Sequence, residues 1–324
     1  MKKYLLLMGA AALAAAIVVT IVAAPREARA ADDFYSRLSV DEPVVYGNLA
    51  IYPLSLPGGG EKLGDFLTLD EAMATGKFSI KEKEEGAEVN SLQVNNKTGK
   101  PVVLFAGEMV RGAKQDRIVS NDTVIPPGAK ASLDAFCVEA GRWEVVSDKF
   151  EYRKEMAPSS VRDVAQGKQD QGEVWSEVSK VNAAKGVATE TDALTASYND
   201  PAYQAKVKEY EEAFAKLADD NDVVGVVVVT EGEIKTGDVF GSHDLFKKLW
   251  PRLLTSYAMD ATLSKELGGI MSPATVKMRL AELEKAQREE TYKGDNESRT
   301  KAKAANAEAY EFDYGDKTVH VNLH

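Results

Sequence analysis

Gly107 to Arg117 reads GEMVRGAKQDR and follows directly on the apolar run Pro101 to Ala106, PVVLFA. It packs three cations, two acids and a glutamine against the end of an apparent core strand. Alternation with period two puts Val102, Leu104, Ala106 and Glu108 on one face of that strand. The later run Ala131 to Glu139 puts Leu133, Ala135, Cys137 and Glu139 on one face in the same way. Each apolar face thus ends in a glutamate, and cations follow each one: Arg111, Lys114 and Arg117 after the first, Arg142 after the second. Carboxylates are seldom buried without a partner, so the pattern predicts that Glu108 and Glu139 meet at the rim of one core.

Two uses of such a rim are open. Ion pairs to Arg117 and Arg142 close one end of a sandwich, or the rim is a polar pocket. In the pocket reading Glu108 and Glu139 are an acid–base pair of a hydrolase, and Lys114, Gln115, Arg117, Arg142 and Trp143 bind a ligand. Arginine forks suit a phosphate and a tryptophan stacks a ring, so the ligand class is a small phosphorylated or sugar-like molecule. Carboxyl groups within about 5–10 Å of each other would suit work on a glycosidic bond.

Around this stretch, short runs bounded by turn residues predict strands over Leu49 to Leu56, Phe78 to Lys83, Ser91 to Asn95, Pro101 to Val110, Thr123 to Ile125 and Ala131 to Glu139. Further on, Ser159 or Ser160 caps a helix running to about Ala184, and Pro201 opens another whose Tyr203, Val207, Tyr210, Phe214 and Leu217 form one stripe. Val223 to Thr230 and Ile234 to Phe240 form a hairpin around Glu231-Gly232, and Ser242 caps a long apolar helix interrupted by Pro251. The fold class implied is α+β, with an antiparallel, sandwich-like β layer and helices packed on it. The organisation implied is a single α+β domain over 31–285, β-rich over 45–145 and mixed helical over 159–285. A charged segment over 286–307, solvated or mobile, and a C-terminal β-hairpin over 308–324 follow.

Residues 1–30 read as a targeting segment. Lys2 and Lys3 precede an apolar run from Tyr4 to Ala24, Pro25 breaks it, and Ala28-Arg29-Ala30 fits an A-x-A cleavage site. The run is either a cleaved signal peptide or an uncleaved anchor through residues 4–24, and both place residues 31 onward in the periplasm or cell envelope, where the exported protein would act. Removing Lys2, Lys3, Arg26, Arg29 and Glu27 from 40 cations and 51 anions leaves 36 against 50, a net charge of −14. Such acidity argues against a nucleic-acid partner, which would need a basic stripe. Cys137 is the single cysteine, so no intramolecular disulfide forms, and without a neighbouring histidine it reads as a small core residue rather than a nucleophile. Three histidines give little basis for a metal site, because His320 and His324 lie roughly 13 Å apart if both sit on one strand. No cofactor is indicated.

The blocks GEMVRGAKQDR, PPGAKASLDAFCVEAGRW (126–143), KEMAPSSVR (154–162), QGEVW (171–175) and DVFGSHDLFKKLWPRLLTSYAMDA (238–261) occur in one order. In this the chain resembles the family of domains named for association with ADP-ribosylglycohydrolases and rhodanese-phosphatase proteins, over about residues 49–261. Positions that carry the resemblance include Gly107, Glu108, Gly112, Lys114, Gln115, Arg117, Cys137, Glu139, Gly141, Arg142 and Trp143. Asp116 stands where that family carries asparagine. The resemblance implies a role near ADP-ribose or nucleotide metabolism. The expected function is therefore an exported protein that binds a small phosphorylated or sugar-like ligand. A hydrolase using Glu108 and Glu139, and a structural envelope protein with no ligand, are the alternatives.

Overall fold

VVGVVVVT, Val223 to Thr230, is a run of β-branched residues buried along its whole length. In the computed structural model, which describes residues 33–324 except 84–89, 143 and 148, this run is an interior strand of the larger of two main sheets. The targeting segment lies outside the described residues. In chain order the first elements are α1 (Phe34–Arg37), β1 (Ser39–Val40), β2 (Val44–Tyr46), β3 (Leu49–Ser55), α2 (Leu69–Ala74), β4 (Phe78–Glu82), β5 (Ser91–Asn96), β6 (Val102–Leu104), β7 (Glu108–Gly112), β8 (Arg117–Val119), β9 (Thr123–Ile125), β10 (Lys130–Cys137) and β11 (Phe150–Met156). Helices α3 (Ser159–Gly167), α4 (Gln171–Lys185), α5 (Leu194–Asn199) and α6 (Pro201–Phe214) come next. The chain continues with β12 (Val223–Thr230), β13 (Glu233–Phe240), α7 (His243–Leu263), α8 (Pro273–Glu284), β14 (Gln287–Lys293), β15 (Glu297–Lys303), β16 (Glu308–Tyr314) and β17 (Lys317–Leu323).

The nine-stranded sheet has the order β1-β3-β12-β13-β17-β16-β15-β14, with β2 paired to β3. The six-stranded sheet has the order β11-β7-β8-β10-β5-β4, and β6 pairs with β9 in a separate ribbon. Every ladder between these strands is antiparallel. Helices cover both faces of the large sheet. Val224, Val227 and Val229 pack in one core with Val276, Leu280 and Leu283 of α8, while Val226 and Val228 face the core that holds α6 and α7. That two-sided burial is why the β12 sequence reads as a continuous apolar run instead of alternating. The fold is α+β, as the sequence pattern implies.

Three stretches depart from expectation. The run Pro101–Val110 is not one strand: β6 and β7 belong to different sheets, and the chain turns between them at Gly107, whose φ is +88°. The helix expected over 159–184 is split into α3 and α4, with Asp170 capping the second. The charged segment 286–307, for which the sequence pattern implies no strand, forms the two outer strands β14 and β15. Its charges lie where outer strands are exposed, while Thr300 and Ala302 alternate inward, so high charge masks a period of two.

The two sheets and α3 meet at one buried ion pair. Arg162 of α3 forms a fork on Asp238 of β13, at 2.8 and 3.1 Å, and neither side chain is more than 1% exposed. The same carboxylate accepts bonds from Tyr257 of α7 and from His320 and Asn322 of β17. The Arg162 side chain passes directly over Gly107, where an added Cβ would come within 2.2 Å of Arg162 Cδ. Gly107 is therefore required twice, for its positive φ and for that approach. Arg162→Ala leaves Asp238 buried with less compensating charge, and is expected to cost about 3–5 kcal/mol. A urea unfolding midpoint equal to that of the unsubstituted chain would show that the pair does not hold the sheets together.

Candidate functional site

The residues singled out from sequence fall into three separate networks. Glu108 is fully buried and accepts hydrogen bonds from Arg252 at 2.7 Å, from the Tyr152 hydroxyl at 2.6 Å and from the Phe105 amide at 2.9 Å. Burial raises its pKa, against the pull of Arg252 and Tyr152. Glu139 accepts from Arg142 at 2.8 Å and from the Thr191 hydroxyl at 2.9 Å, and its backbone carbonyl takes the Gln115 amide at 2.7 Å. Arg142 also reaches Asp116 at 3.1 Å. Arg117 belongs to a third group, with Cys137 and Glu82. Lys114 is half-buried beside Gln115, and Trp143 lies outside the described residues.

Glu108 and Glu139 do not converge. The register places Glu108 level with Ala135 of β10, four residues from Glu139, and one strand, β8, lies between them, so the backbones are roughly 16 Å apart. The shared rim expected from sequence required an unbroken strand from Val102 to Glu108. The turn at Gly107 removes that condition, and each carboxylate is instead saturated by its own arginine. Cys137 is fully buried, and burial lifts its thiol to about 11 against the pull of Arg117, which leaves it a core residue.

The structure offers a different site. A cavity of about 590 Å³ lies between the outer strands of the large sheet, the end of α3 and the loop from β8 to β9. Arg299 and Lys301 alternate along β15, opposite Tyr310 and Phe312 of β16 and Tyr292 of β14, and all five line it. Arg299 stacks on the Tyr292 ring at 4.1 Å and makes no ion pair among the described residues; its buried Nε has no hydrogen-bond partner. Gln166, at the end of α3, lines the opposite wall, and its buried Oε1 has no partner either. Lys301 is engaged by Glu308 at 2.6 Å and by the Tyr310 hydroxyl at 3.2 Å. The loop side is clamped by Gln169, which donates to Asn121 at 3.3 Å.

Asp122 forms part of the cavity floor and joins it to the core. Its Oδ1 accepts the Ala106 amide at 2.8 Å, and its Oδ2 lies 2.6 Å from His320 Nδ1. His320 Nε2 is 3.1 Å from Asp238 Oδ1, so Asp122, His320, Asp238 and Arg162 form one buried chain. The ring lies on Phe240 with centroids 4.6 Å apart. Burial disfavours the imidazolium, but the carboxylates on either side outweigh it and lift His320 to about 9. Arg162 and His320⁺ thereby balance Asp238 and Asp122, leaving the floor neutral overall. No His, Cys, Asp or Glu grouping among the described residues is arranged to hold a metal ion.

Residues 37–324 match ARPP-1, the ARG and Rhodanese-Phosphatase-superfamily-associated Protein domain. The chain belongs to this family. Neither the curated proteins nor the solved structures contain a match to it. The ARPP-1 match takes in both sheets, the buried chain and every residue lining the cavity. Sequence reasoning passed over Arg299, Gln166, Asp122 and His320. The alternation of Arg299-Thr300-Lys301-Ala302-Lys303 was the available signal for the first; nothing local marks the others, which come together from three distant segments.

The pH dependence of stability follows from His320. Its folded-state value lies above the usual ~6.5, so its contribution is complete below about pH 6.5 and is lost as the pH rises through about 9. The loss is expected to be on the order of 1–3 kcal/mol. Urea melts across this window should show it in the unsubstituted chain and not in His320→Asn. Equal slopes for the two proteins would remove the imidazolium from the account.

Proposed function

We propose that this member of the ARPP-1 family binds a small phosphorylated or sugar-like ligand in the cavity beside Arg299. The reading rests on one observation above the rest: Arg299 and Gln166, which line one cavity, each carry a buried polar atom, Nε and Oε1, without a hydrogen-bond partner among the described residues. Buried polar groups are normally satisfied, so a donor and an acceptor left open in one cavity suit a ligand that supplies both complements. Because the floor is internally neutral and Lys301 is engaged, Arg299 is the cation best placed for an anionic group. Its guanidinium can take a phosphate with two parallel bonds. Gln166 Oε1 and the carboxylates of Asp134 and Glu289, which also line the cavity, accept from hydroxyls. Tyr292, 42% exposed, has ring surface on which a base or sugar can lie. The ADP-ribosylglycohydrolase part of the family's name favours ADP-ribose or a nucleotide within this class.

A hydrolytic role for Glu108 and Glu139 draws no support from their separation. The leader-like sequence of residues 1–30 supports action outside the inner membrane. Among the described residues no helix is long and apolar enough to cross a membrane.

A thermal-shift titration of residues 31–324 with ADP-ribose, ribose 5-phosphate and a nucleoside monophosphate tests the proposal. At a hundredfold excess over the dissociation constant the native state gains about 2.7 kcal/mol, which raises Tm by roughly 5 °C. Arg299→Ala should remove the shift, whereas Arg142→Ala should retain it. A shift that survives Arg299→Ala, or no shift with any of the three, would overturn the assignment.

A further inference from the structure

A second cavity, of about 510 Å³, opens at the start of α7, on different elements from the first. One wall is the turn Gly58-Gly59-Gly60. In the structure it is pinned by a bridge from Gly60 to Ser242. Gly59 has φ +72°, and a Cβ there would sit 2.4 Å from the Asn221 carbonyl and 3.0 Å from His243 Cβ. The turn therefore lies flat against the first turn of a 21-residue helix.

His243 is 7% exposed and lines this cavity. Its Nδ1 lies 2.7 Å from the Val223 carbonyl. A carbonyl only accepts, so Nδ1 carries the hydrogen and the neutral ring presents a lone pair at Nε2. That Nε2 has no partner. Ser242 Oγ takes the Leu245 amide, while the Asp244 amide, also in the first turn, has no acceptor among the described residues. The other charged groups lining the cavity are Glu61, Lys62, Asp65, Asp244 and Lys248. Glu61 is paired with Arg37, Asp65 with Lys100 and Lys248 with Glu71. This leaves Lys62 as a cation without a carboxylate partner among the described residues, and Asp244 as the one competing anion.

We infer that this cavity is a second binding site, which takes the phosphate group of a small phosphate ester. The donors are His243 protonated at Nε2, the Asp244 amide at the positive end of α7, and Lys62. Neutral imidazole would set a lone pair against the anion, so binding takes up a proton from solvent. The carboxylate of Asp244 opposes the ligand, and its neutralisation strengthens binding.

Sulfate is the probe, because it mimics the phosphate dianion and does not itself titrate near neutrality. Isothermal titration of the full-length protein carrying Arg299→Ala, in two buffers of different ionisation enthalpy, separates this cavity from the first. Binding is expected with net uptake of protons, at most one per sulfate. His243→Asn keeps a donor for the Val223 carbonyl but lacks Nε2; it should abolish the uptake and weaken binding about tenfold or more. Asp244→Asn, at an exposed position, should tighten binding by about two- to fivefold. Failure of sulfate to bind, binding without proton uptake, or affinity unchanged in either variant would overturn the inference.

Discussion

The carboxylate of Asp238 is the point on which the arrangement depends. It is wholly buried, and it gathers Arg162 from α3, Tyr257 from α7, and His320 and Asn322 from the neighbouring strand β17. His320 passes the connection to Asp122, which sits in the loop leading from the six-stranded sheet to β9. A single carboxylate in such a place would be strongly destabilising, and the cost is offset only when geometry supplies two cations and a second acid in alternation. The relative positions of the sheets, α3 and α7 are thus coupled: none can shift without uncovering a buried charge. The cavity beside Arg299 lies at the seam this chain closes, and Asp122 of the chain is part of its lining.

The same principle recurs through the molecule. Glu108 with Arg252 and Tyr152, Glu139 with Arg142 and Asp116, and Arg111 with Glu155 are all pairings at or beneath the surface of the fold. Acidic chains are commonly read as having charge to spare on the surface, but here many carboxylates are structural. A buried pair contributes little net stability over an apolar one, yet a mispaired alternative is heavily penalised. These networks therefore select one packing of the sheets and helices from others that bury similar apolar area.

Membership of the ARPP-1 family gives the chain relatives but no chemistry, and no solved fold to lean on. The functional argument rests instead on three of the buried polar atoms left without hydrogen-bond partners among the described residues. Arg299 Nε, Gln166 Oε1 and His243 Nε2 are such atoms, and each belongs to a residue that lines a cavity. Glu108, Glu139 and Arg142, for which the sequence leaves open either ion pairs or a polar pocket, are by contrast engaged in pairs.

Local patterning was enough for much of the architecture. The stripe of the Pro201 helix, the hairpin at Glu231-Gly232, the capped start of α7 and the C-terminal hairpin all arise from periodicity and turn chemistry, which act over a few residues. The family was legible too, because its motifs are contiguous. The site was not. Glu108 looked like the end of a strand that began at Val102, and only packing shows why Gly107 breaks it: the Arg162 side chain needs the space, and Arg162 is 55 positions away. Strand β15 was hidden because its alternation is written in charge against serine, threonine and alanine rather than polar against apolar, and β14 because it is charged and exposed nearly throughout. Asp122, Gln166, Arg299 and His320 meet through pairings among β-strands and helices that no local signal encodes. Which carboxylate is saturated and which cation is left open is a property of the closed tertiary network, since it depends on partners that approach from every side at once.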